Sequence, residues 1–389
     1  MAYKEAVQAI RLDAPKRIPH WEFISNPDFE MEITGINPYK LPQHSAIRMV
    51  EQLDLSIAHI PPNNDPISPL PEDGQTVKGH PTVRWGASTT WPWDWGHEFT
   101  TEKEVLAYEP LDPKNTTGLP GTSLEDEVAL DDINLDLALR TDAGMRGLPF
   151  WYHMFTDEEL SSHYKRIYEA DQSILGNCAL SGLSFFYNTF FMWPILTFGY
   201  ELFLTTAAHY PDGIGKIMDS FGEISLKSFT AWSYSGAPLM ISHDDICYTR
   251  GVVVNPKWLR KYVYPWYERL WETLHKQGIK VLFMSDGRVD EVVDDVFACG
   301  ADGIMGEPYT DLEAIAKKYG RDKILLGNMD NRVLLHGDKN AIYKEVERCT
   351  RFGLNCPGYF YSVTNHIPYN VPSDSIKYYF DVCSKLGLR

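Results

Sequence analysis

The chain has 389 residues, of which 44% are hydrophobic and 23% charged, a composition typical of a folded globular protein and unlike that of a disordered or fibrous chain. Its 53 acidic residues exceed its 36 basic residues and give a net charge of −17. Because this charge would repel nucleic acids and anionic membranes over most of the surface, neither is an expected partner, and small molecules or proteins are favoured.

The amino-terminal segment predicts neither a signal peptide nor a membrane anchor. Its first residues, MAYKEAVQAIRLDAPKRIPHWEF, lack an apolar core, and no part of the chain reaches the roughly 18 uninterrupted apolar residues of a membrane span. We therefore expect a cytoplasmic protein. The six cysteines are scattered without a CxxC pair, which argues against a disulfide framework or a zinc ribbon.

The first part of the chain carries few regular patterns. Residues 1–16 have apolar positions at helical spacing and predict a helix that ends near Pro15, before a strand at RIPHWEF. Pro and Gly are frequent between residues 61 and 125, where only the segment VKGHPTVRWGASTTWPW predicts a β-hairpin. We expect residues 1–150 to contain an amino-terminal extension, this hairpin and lid-like loops.

The second half of the chain alternates short apolar runs with amphipathic helical segments. The predicted strands are NCALSGLS, PLMISHDDI, KVLFMSD, GIMGEP, ILLGNMD and YFYSVTN. The predicted helices span residues 190–234, 256–277, 288–298, 309–320, 338–352 and 373–386. This alternation is typical of a parallel sheet covered by helices. Because polar residues follow strand after strand and no GxGxxG motif is present, the pattern favours an α/β fold with a single (β/α)8 TIM-barrel domain over residues 1–389.

Polar residues follow the apolar body of these strands. They are His243, Asp244, Asp245, Asp286, Glu307, Asn328, Asp330, Asn365 and His366. Since the carboxyl ends of barrel strands converge on one rim, we expect several carboxylates and imidazoles to share one mouth. Asp286 and Asp330 could instead be turn or helix N-cap residues, and Asp244 or Asp245 could cap the following turn or pair with Arg250.

Two chemistries are compatible with this set of residues. Clustered carboxylates raise one another's pKa, so that one can stay protonated and act as a general acid, which is the favoured use. The alternative is a zinc ion, with His243 and Glu307 as ligands, although no tightly spaced motif such as HExxH occurs. Neither a GxSxG elbow nor a P-loop is present, so serine hydrolases and NTPases have no support.

The motifs of the chain, taken together, resemble those of the uroporphyrinogen decarboxylase superfamily and, within it, of the corrinoid-dependent methyltransferases. The similarity covers EAVQAIRLDAPKRIP and then residues 238–386, where HDDICYTRGVVVNPKWLRKYVYPWYERL, HKQGIKVLFMSDG, ADGIMGEP, LLGNMD and GYFYSVTNHIPYNVP follow the family's order and spacing. The resemblance implies a (β/α)8 barrel. True decarboxylases have an arginine-rich segment where this chain has HWEFISNPDFE, and the His-x-Cys zinc motif of thiol-methylating members is replaced by His243 followed by two aspartates.

With the true decarboxylases and the thiol-methylating members set aside, the chain resembles the methyltransferase component of an anaerobic O-demethylase system. This implies transfer of a methyl group from a small methoxylated, often aromatic, substrate to cobalamin carried by a separate corrinoid protein. The implied catalytic residues, which supply or relay a proton to the leaving oxygen, are His243, Asp245, Asp286 and Glu307. The implied substrate-binding residues are Trp21, Phe186, Tyr187, Trp193, Asn328, Tyr361 and His366. A homodimer is expected by analogy with related barrels.

Two other functions stay open from the sequence. A decarboxylase or lyase acting on a smaller carboxylic acid would need basic residues near the mouth, and the nearby candidates are Arg250, Arg288 and Arg332. A non-catalytic binding barrel would use the aromatic-rich first half of the chain as its interaction surface.

Overall fold

A computed structural model describes residues 2–67, 76–77, 80–84, 90–92, 99–116, 151–183, 185–186, 189–363 and 365–389. The chain divides into two compact units. Unit 1 comprises Met1–Asp94, Asp171–Gly182 and Gly303–Arg389, and unit 2 comprises Trp95–Ala170 and Leu183–Asp302. A single domain over residues 1–389 stays a prediction.

The described helices are numbered in chain order. They are α1 (Ala2–Ile10), α2 (Pro27–Thr34), α3 (Pro42–Leu53), α4 (Glu102–Leu106), α5 (Pro113–Thr116), α6 (Trp151–Met154), α7 (Asp157–Leu175), α8 (Met192–Phe198), α9 (Tyr200–His209), α10 (Pro211–Trp232), α11 (Pro256–Tyr262), α12 (Tyr264–His275), α13 (Val293–Ala298), α14 (Leu312–Tyr319), α15 (Asn331–His336), α16 (Lys339–Gly353) and α17 (Ser373–Leu386).

The described strands are short. They are β1 (Phe23–Ser25), β2 (Ile57–Ala58), β3 (Thr76–Val77), β4 (His80–Arg84), β5 (Thr90–Pro92), β6 (Leu180–Ser181), β7 (Phe185–Phe186), β8 (Leu239–His243), β9 (Cys247–Tyr248), β10 (Gly251–Val252), β11 (Lys280–Met284), β12 (Gly303–Gly306), β13 (Ile324–Gly327), β14 (Tyr359–Phe360) and β15 (His366–Pro368).

Unit 1 is built mainly from parallel strands. β12 pairs with β13, β13 with β14, β1 with β15 and β2 with β6, each in parallel. Parallel bridges from His20 to Tyr361 and from Trp21 to Ile57 connect these pairs. The antiparallel strands β3, β4 and β5 also belong to this unit and match the predicted hairpin.

Three helices of unit 1 begin in the same way. The side chains of Asp311, Asp330 and Asp338 accept hydrogen bonds from backbone N–H groups in the first turns of α14, α15 and α16. A capping carboxylate satisfies N–H groups that have no partner inside the helix and favours the positive end of the helix dipole. Asp330 therefore has the capping role that the sequence left open for it.

In unit 2, β8 lies between β7 and β11 in a parallel arrangement. All five residues of β8 are buried, as expected for a strand covered on both faces. Helix α12 belongs to the same core, where the rings of Tyr267 and Trp271 stack at 4.8 Å. The indole Nε1 of Trp271 donates a hydrogen bond to Ser242 Oγ at 2.9 Å. This contact fixes the helix against the strand that leads to His243.

The predicted alternation of strands and helices is confirmed in the second half of the chain. The predicted helices 190–234 and 256–277 are divided into α8–α10 and α11–α12, and β9, β10 and β15 lie outside the predicted strands. Helix α15 was not predicted, because its six residues carry too short a pattern and depend on the Asp330 cap. Strand β1 starts at Phe23, later than the predicted RIPHWEF strand. Pro19 cannot donate to a strand ladder, and only single bridges occur at Arg17, His20 and Trp21.

Within the described parts of the chain, no helix combines the length and the apolar character that crossing a bilayer requires. All six cysteines are free thiols, and five of them are buried.

Candidate active site

Three of the predicted catalytic residues meet in unit 2 at the carboxyl ends of two neighbouring strands. His243 is the last residue of β8 and lies opposite Met284, the last residue of β11. His243 Nε2 is 2.9 Å from Asp245 Oδ1, and the backbone N–H of Asp286 donates to the same oxygen at 2.8 Å. Ligand atoms of His243, Asp245 and Asp286 all lie within 4.8 Å of one another. We call these three residues the acid–histidine cluster.

The acid–histidine cluster carries a charged imidazole. Burial by itself lowers the pKa of His243, but Asp245, through its charge and its hydrogen bond, and the further charges of Asp286 and Asp244 reverse this and raise the pKa above its usual value. The pKa of Asp245 is lowered, because the charge and hydrogen bond of His243 and the N–H of Asp286 outweigh the effect of burial. His243 and Asp245 thus form a buried ion pair, with side chains only 3% and 13% exposed.

Asp244 has a different task from its neighbour Asp245. It is fully buried, and its carboxylate accepts hydrogen bonds from the backbone N–H groups of Phe190, Phe191 and Met192 at 2.6–3.1 Å. The hydroxyl of Tyr267 donates to the same carboxylate at 2.8 Å. Asp244 therefore caps the start of α8, which precedes it in the chain, and not the following turn that the sequence left open for it.

Asp286 is held in a turn and does not cap a helix. Gly287 follows it with a φ of +83°, and a Cβ at that position would lie 2.2 Å from the backbone of Tyr248. Only glycine fits this conformation and this close approach without strain. The turn leaves Asp286 partly exposed beside the buried His243–Asp245 pair.

Tyr200 is a residue near the acid–histidine cluster that the sequence did not indicate. Burial and then the charges of Asp245, Asp286 and Asp244 raise the pKa of its phenol, so the hydroxyl lies within the field of these carboxylates and stays protonated. Tyr200 is nevertheless 40% exposed. Its position at the start of α9, after Gly199, carries no chemical motif that could have identified it.

The acid–histidine cluster could also hold a metal ion. One imidazole nitrogen and two carboxylate oxygens are the donor types found in catalytic zinc sites, which keep a further position open. The described cluster pairs His243 with Asp245 and Asp286, whereas the sequence suggested Glu307 as the second zinc ligand.

Unit 1 holds a second group of predicted residues around a cavity of about 220 Å³. Its lining contains Glu307, Pro308, Tyr309, Asp330, Asn331, Arg332, Val363, Asn365, His366 and Pro368. Glu307 and His366 therefore share a cavity. Glu307 directly follows β12 as predicted, whereas His366 is the first residue of β15. We call this space the unit 1 cavity.

The side chain of Asn328 binds the segment that follows β12. It is buried, and its side-chain amide donates to the carbonyl oxygens of Glu307 and Thr310 at 3.1 and 2.8 Å. Its own Oδ1 accepts from Arg348 at 3.0 Å. The side-chain amide of Asn328 therefore positions Glu307. Contact between Asn328 and a substrate stays a prediction.

Three of the aromatic residues that were predicted to contact the substrate lie in the core. Trp21 is fully buried, Trp193 donates from Nε1 to Ser225 Oγ at 3.1 Å, and Tyr361 forms a hydrogen bond with Thr350 at 2.5 Å. Their exposed fractions are 3% or less. Their assignment as substrate contacts stays a prediction. Tyr187 and the side chain of Phe186 lie outside the described residues. Convergence of the acid–histidine cluster and the lining of the unit 1 cavity on one rim also stays a prediction.

Comparison with known proteins supports the superfamily suggested by the motifs. Residues 195–386, just under half of the chain, match the family described as Uroporphyrinogen decarboxylase (URO-D). Proteins named uroporphyrinogen decarboxylase from Thermus thermophilus and Geobacter sulfurreducens are 23% and 24% identical over 172 and 179 residues, or 44% and 46% of this chain. The chain spans about half the length of these curated relatives, 48% and 51%.

A solved structure described as a methyltransferase from Methanosarcina mazei is similar over 99% of this chain and 98% of its own, with a TM-score of 0.56 and 14% identity. At this identity the likeness concerns the fold. The α/β fold with parallel strands, together with the family match, confirms the predicted (β/α)8-barrel fold.

Proposed function

We propose that the protein is a methyltransferase that moves a methyl group from a methoxylated, aromatic substrate to the cob(I)alamin of a separate corrinoid protein. The family match and the fold shared with a methyltransferase support this reaction class. The observation that carries the proposal is the buried His243–Asp245 pair beside the partly exposed Asp286. This arrangement can deliver a proton to a departing oxygen.

The proton requirement follows from the reaction. The bond between the methyl carbon and the ether oxygen breaks, and its electron pair stays on the oxygen, which must be neutralised. His243 and Asp245 hold one proton between Nε2 and Oδ1, and Asp286 is the group through which this proton reaches the oxygen. Proton transfer by a positioned group contributes about 100- to 10,000-fold to rates of this kind. The exposed side of Asp286 lets solvent restore the proton.

Two groups outside the chain enter the proposal. The corrinoid, carried by its own protein, supplies the nucleophile that accepts the methyl group. Zinc, if bound, would be held by His243, Asp245 and Asp286 and would stabilise the negative charge on the oxygen as a Lewis acid. In that case the cluster would hold the ion in place of the shared proton.

The test is anoxic incubation of the full chain with cob(I)alamin and a panel of methoxybenzenes, aliphatic methyl ethers and methylamines. We expect the visible spectrum of methylcobalamin to appear with a methoxybenzene and not with a methylamine. An Asp286→Asn variant should react far more slowly. Metal analysis of the same samples distinguishes the proton from the zinc version, since zinc that is present in the wild type and absent from Asp245→Asn belongs to this cluster.

A lyase acting on a small carboxylic acid is the second candidate, and the name of the curated relatives favours it. The arginines that would bind the acid are only partly available, because Arg288 pairs with Asp290 at 3.1 Å and Arg332 pairs with Asp330 at 2.6 Å. Failure of every methyl donor, together with release of CO2 from a small acid that depends on Arg250, would replace the methyltransferase by the lyase. Absence of turnover in the wild type, together with binding that survives in a Glu307→Gln, Asp286→Asn double variant, would indicate a binding protein.

A further inference from the structure

A short hairpin follows the acid–histidine cluster in unit 2. Strands β9 and β10 pair in antiparallel fashion, with Tyr248 opposite Gly251. Cys247 is 3% exposed, whereas the next residue, Tyr248, is 49% exposed, because successive side chains of a strand point to opposite faces. We call residues 247–252 the β9 hairpin.

The β9 hairpin is fastened to the turn that carries Asp286. The backbone N–H of Cys247 donates to Ser285 Oγ at 3.1 Å, and Ser285 Oγ donates to the carbonyl oxygen of Asp286 at 3.2 Å. The backbone N–H of Arg288 donates to the carbonyl oxygen of Tyr248 at 2.9 Å. Ser285 is buried, so water does not compete for its hydrogen bonds. These contacts hold the backbone of Tyr248 in a fixed position relative to Asp286.

The backbone of Tyr248 also closely approaches this turn. A Cβ at Gly287 would lie 2.5 Å from the Cα of Tyr248, and Gly287 directly follows Asp286 in the chain. Since consecutive Cα atoms are about 3.8 Å apart, the Cα atoms of Tyr248 and Asp286 are at most about 8 Å apart. An aromatic ring joined to an oxygen that lies at Asp286 is therefore within reach of the Tyr248 side chain.

The ring of Tyr248 is not engaged by other side chains. It makes no hydrogen bond and no ring contact with the described part of the chain. Gly251, its partner across the hairpin, has no side chain, so the usual cross-strand contact is missing. A half-exposed ring in a fixed place can form stacked or edge-on contacts with the ring of a bound molecule, at centroid distances of roughly 4.5–7 Å.

Tyr200 adds a second aromatic side chain near the acid–histidine cluster. The charges of Asp245, Asp286 and Asp244 act on its phenol. Tyr200 is 40% exposed, and its side chain likewise forms no hydrogen bond and no ring contact with residues that the structure describes. The surroundings of the cluster within unit 2 therefore suit the apolar face of an aromatic molecule next to a few polar groups.

On the basis of the proposed function, we propose that Tyr248 is a specificity-determining residue, whose ring contacts the aromatic ring of the substrate while the ether oxygen of the substrate lies at Asp286. The β9 hairpin positions this contact. An aliphatic ether of similar size has the same oxygen but cannot form the contact between two aromatic rings, so it binds more weakly.

Binding to the full-length protein tests this without requiring turnover. Titration calorimetry would compare methoxybenzene with methoxycyclohexane, which has the same ether group and a similar size but no aromatic ring. We expect the wild type to bind methoxybenzene about 10-fold more tightly. Tyr248→Ala should weaken the binding of methoxybenzene about 10-fold and so remove this preference. Tyr248→Phe keeps the ring and should keep the preference.

Tyr234→Ala is the matched control, because it removes a tyrosine of similar exposure, 53%, from the same unit. Tyr234 precedes β8, whereas His243 ends this strand, so the control lies at the opposite end of β8 from the acid–histidine cluster. It should leave both affinities unchanged. A preference that persists in Tyr248→Ala, or that disappears in Tyr234→Ala, would overturn the role of Tyr248, as would a wild type that binds neither ether.

The same samples separate this inference from the proposed reaction. An aromatic preference that depends on Tyr248, without methyl transfer to cob(I)alamin, would support the ring contact and refute the reaction. Methyl transfer from methoxybenzene with the wild-type KM in Tyr248→Ala would support the reaction and refute the ring contact.

Discussion

His243 in unit 2 differs in charge from His59 and His366 in unit 1. In unit 2, His243 is as deeply buried as any of them, yet its pKa is raised, because Asp245 compensates for the loss of water. In unit 1, burial is the largest effect on His59 and His366 and lowers their pKa to about 3 and 4. The same side chain therefore serves as a proton carrier in one unit and as a neutral ring in the other.

The difference follows from two opposing electrostatic effects. Removal from water always disfavours the charged form of an ionisable group, and an adjacent opposite charge favours it. Unit 2 combines both effects at one strand end. Unit 1 keeps even an acid neutral, since burial raises the pKa of Glu22 to about 8 despite its hydrogen bonds with Tyr379 and Val363.

Removing the charge of Asp245 should have the largest effect. Asp245→Asn removes the carboxylate that raises the pKa of His243 most, through its charge and its hydrogen bond, so the pair no longer shares a proton for transfer. We expect the rate of methyl transfer to cob(I)alamin to fall about 100- to 10,000-fold. The control is Asp212→Asn, whose side chain is 87% exposed in the same unit. A variant that keeps most of the wild-type rate would show that the pair takes no part in the reaction.

The neutral acid of unit 1 should give this unit a characteristic pH dependence. The folded state raises the pKa of Glu22 to about 8 from an ordinary value of 4.5. Its contribution to stability is therefore complete below pH 4.5 and is lost as the pH rises toward 8, on the order of 1 kcal/mol per pH unit. Glu22→Gln should remove this dependence. Urea unfolding of the wild type and of Glu22→Gln at pH 5, 6.5 and 8 measures this pH dependence. The same change of unfolding free energy with pH in both proteins would contradict it.

The smallest expected effect concerns the hydrogen bonds that hold the charges of unit 2. Tyr267→Phe removes the hydroxyl that donates to Asp244 and should lower the free energy of unfolding by about 1–3 kcal/mol. Tyr264→Phe is the control, because its buried hydroxyl has no hydrogen-bond partner within the described part of the chain. Urea unfolding should leave this control within about 0.5 kcal/mol of the wild type. Equal losses in both variants would mean that ring packing, and not the hydrogen bond, is being measured.

Much of the unit 2 site could be predicted because strand ends are visible in a sequence. The runs PLMIS and VLFMS are apolar, and the residues after them are His243, Asp245 and Asp286. Parallel pairing of neighbouring strands then brings these residues together. Tyr200 and His59 could not be found in this way, since neither follows a predicted strand and each reaches its position through contacts between segments far apart in the chain.

The sequence by itself determined the strand–helix alternation, the barrel fold and the identity of the polar residues at the strand ends, because all three depend on local periodicity and on short motifs. The tertiary structure alone decided which carboxylate pairs with His243, which one caps a turn, and which histidines stay neutral. These outcomes depend on burial and on distances of a few ångströms between segments. A pKa follows from that environment, and the order of residues along the chain does not contain it.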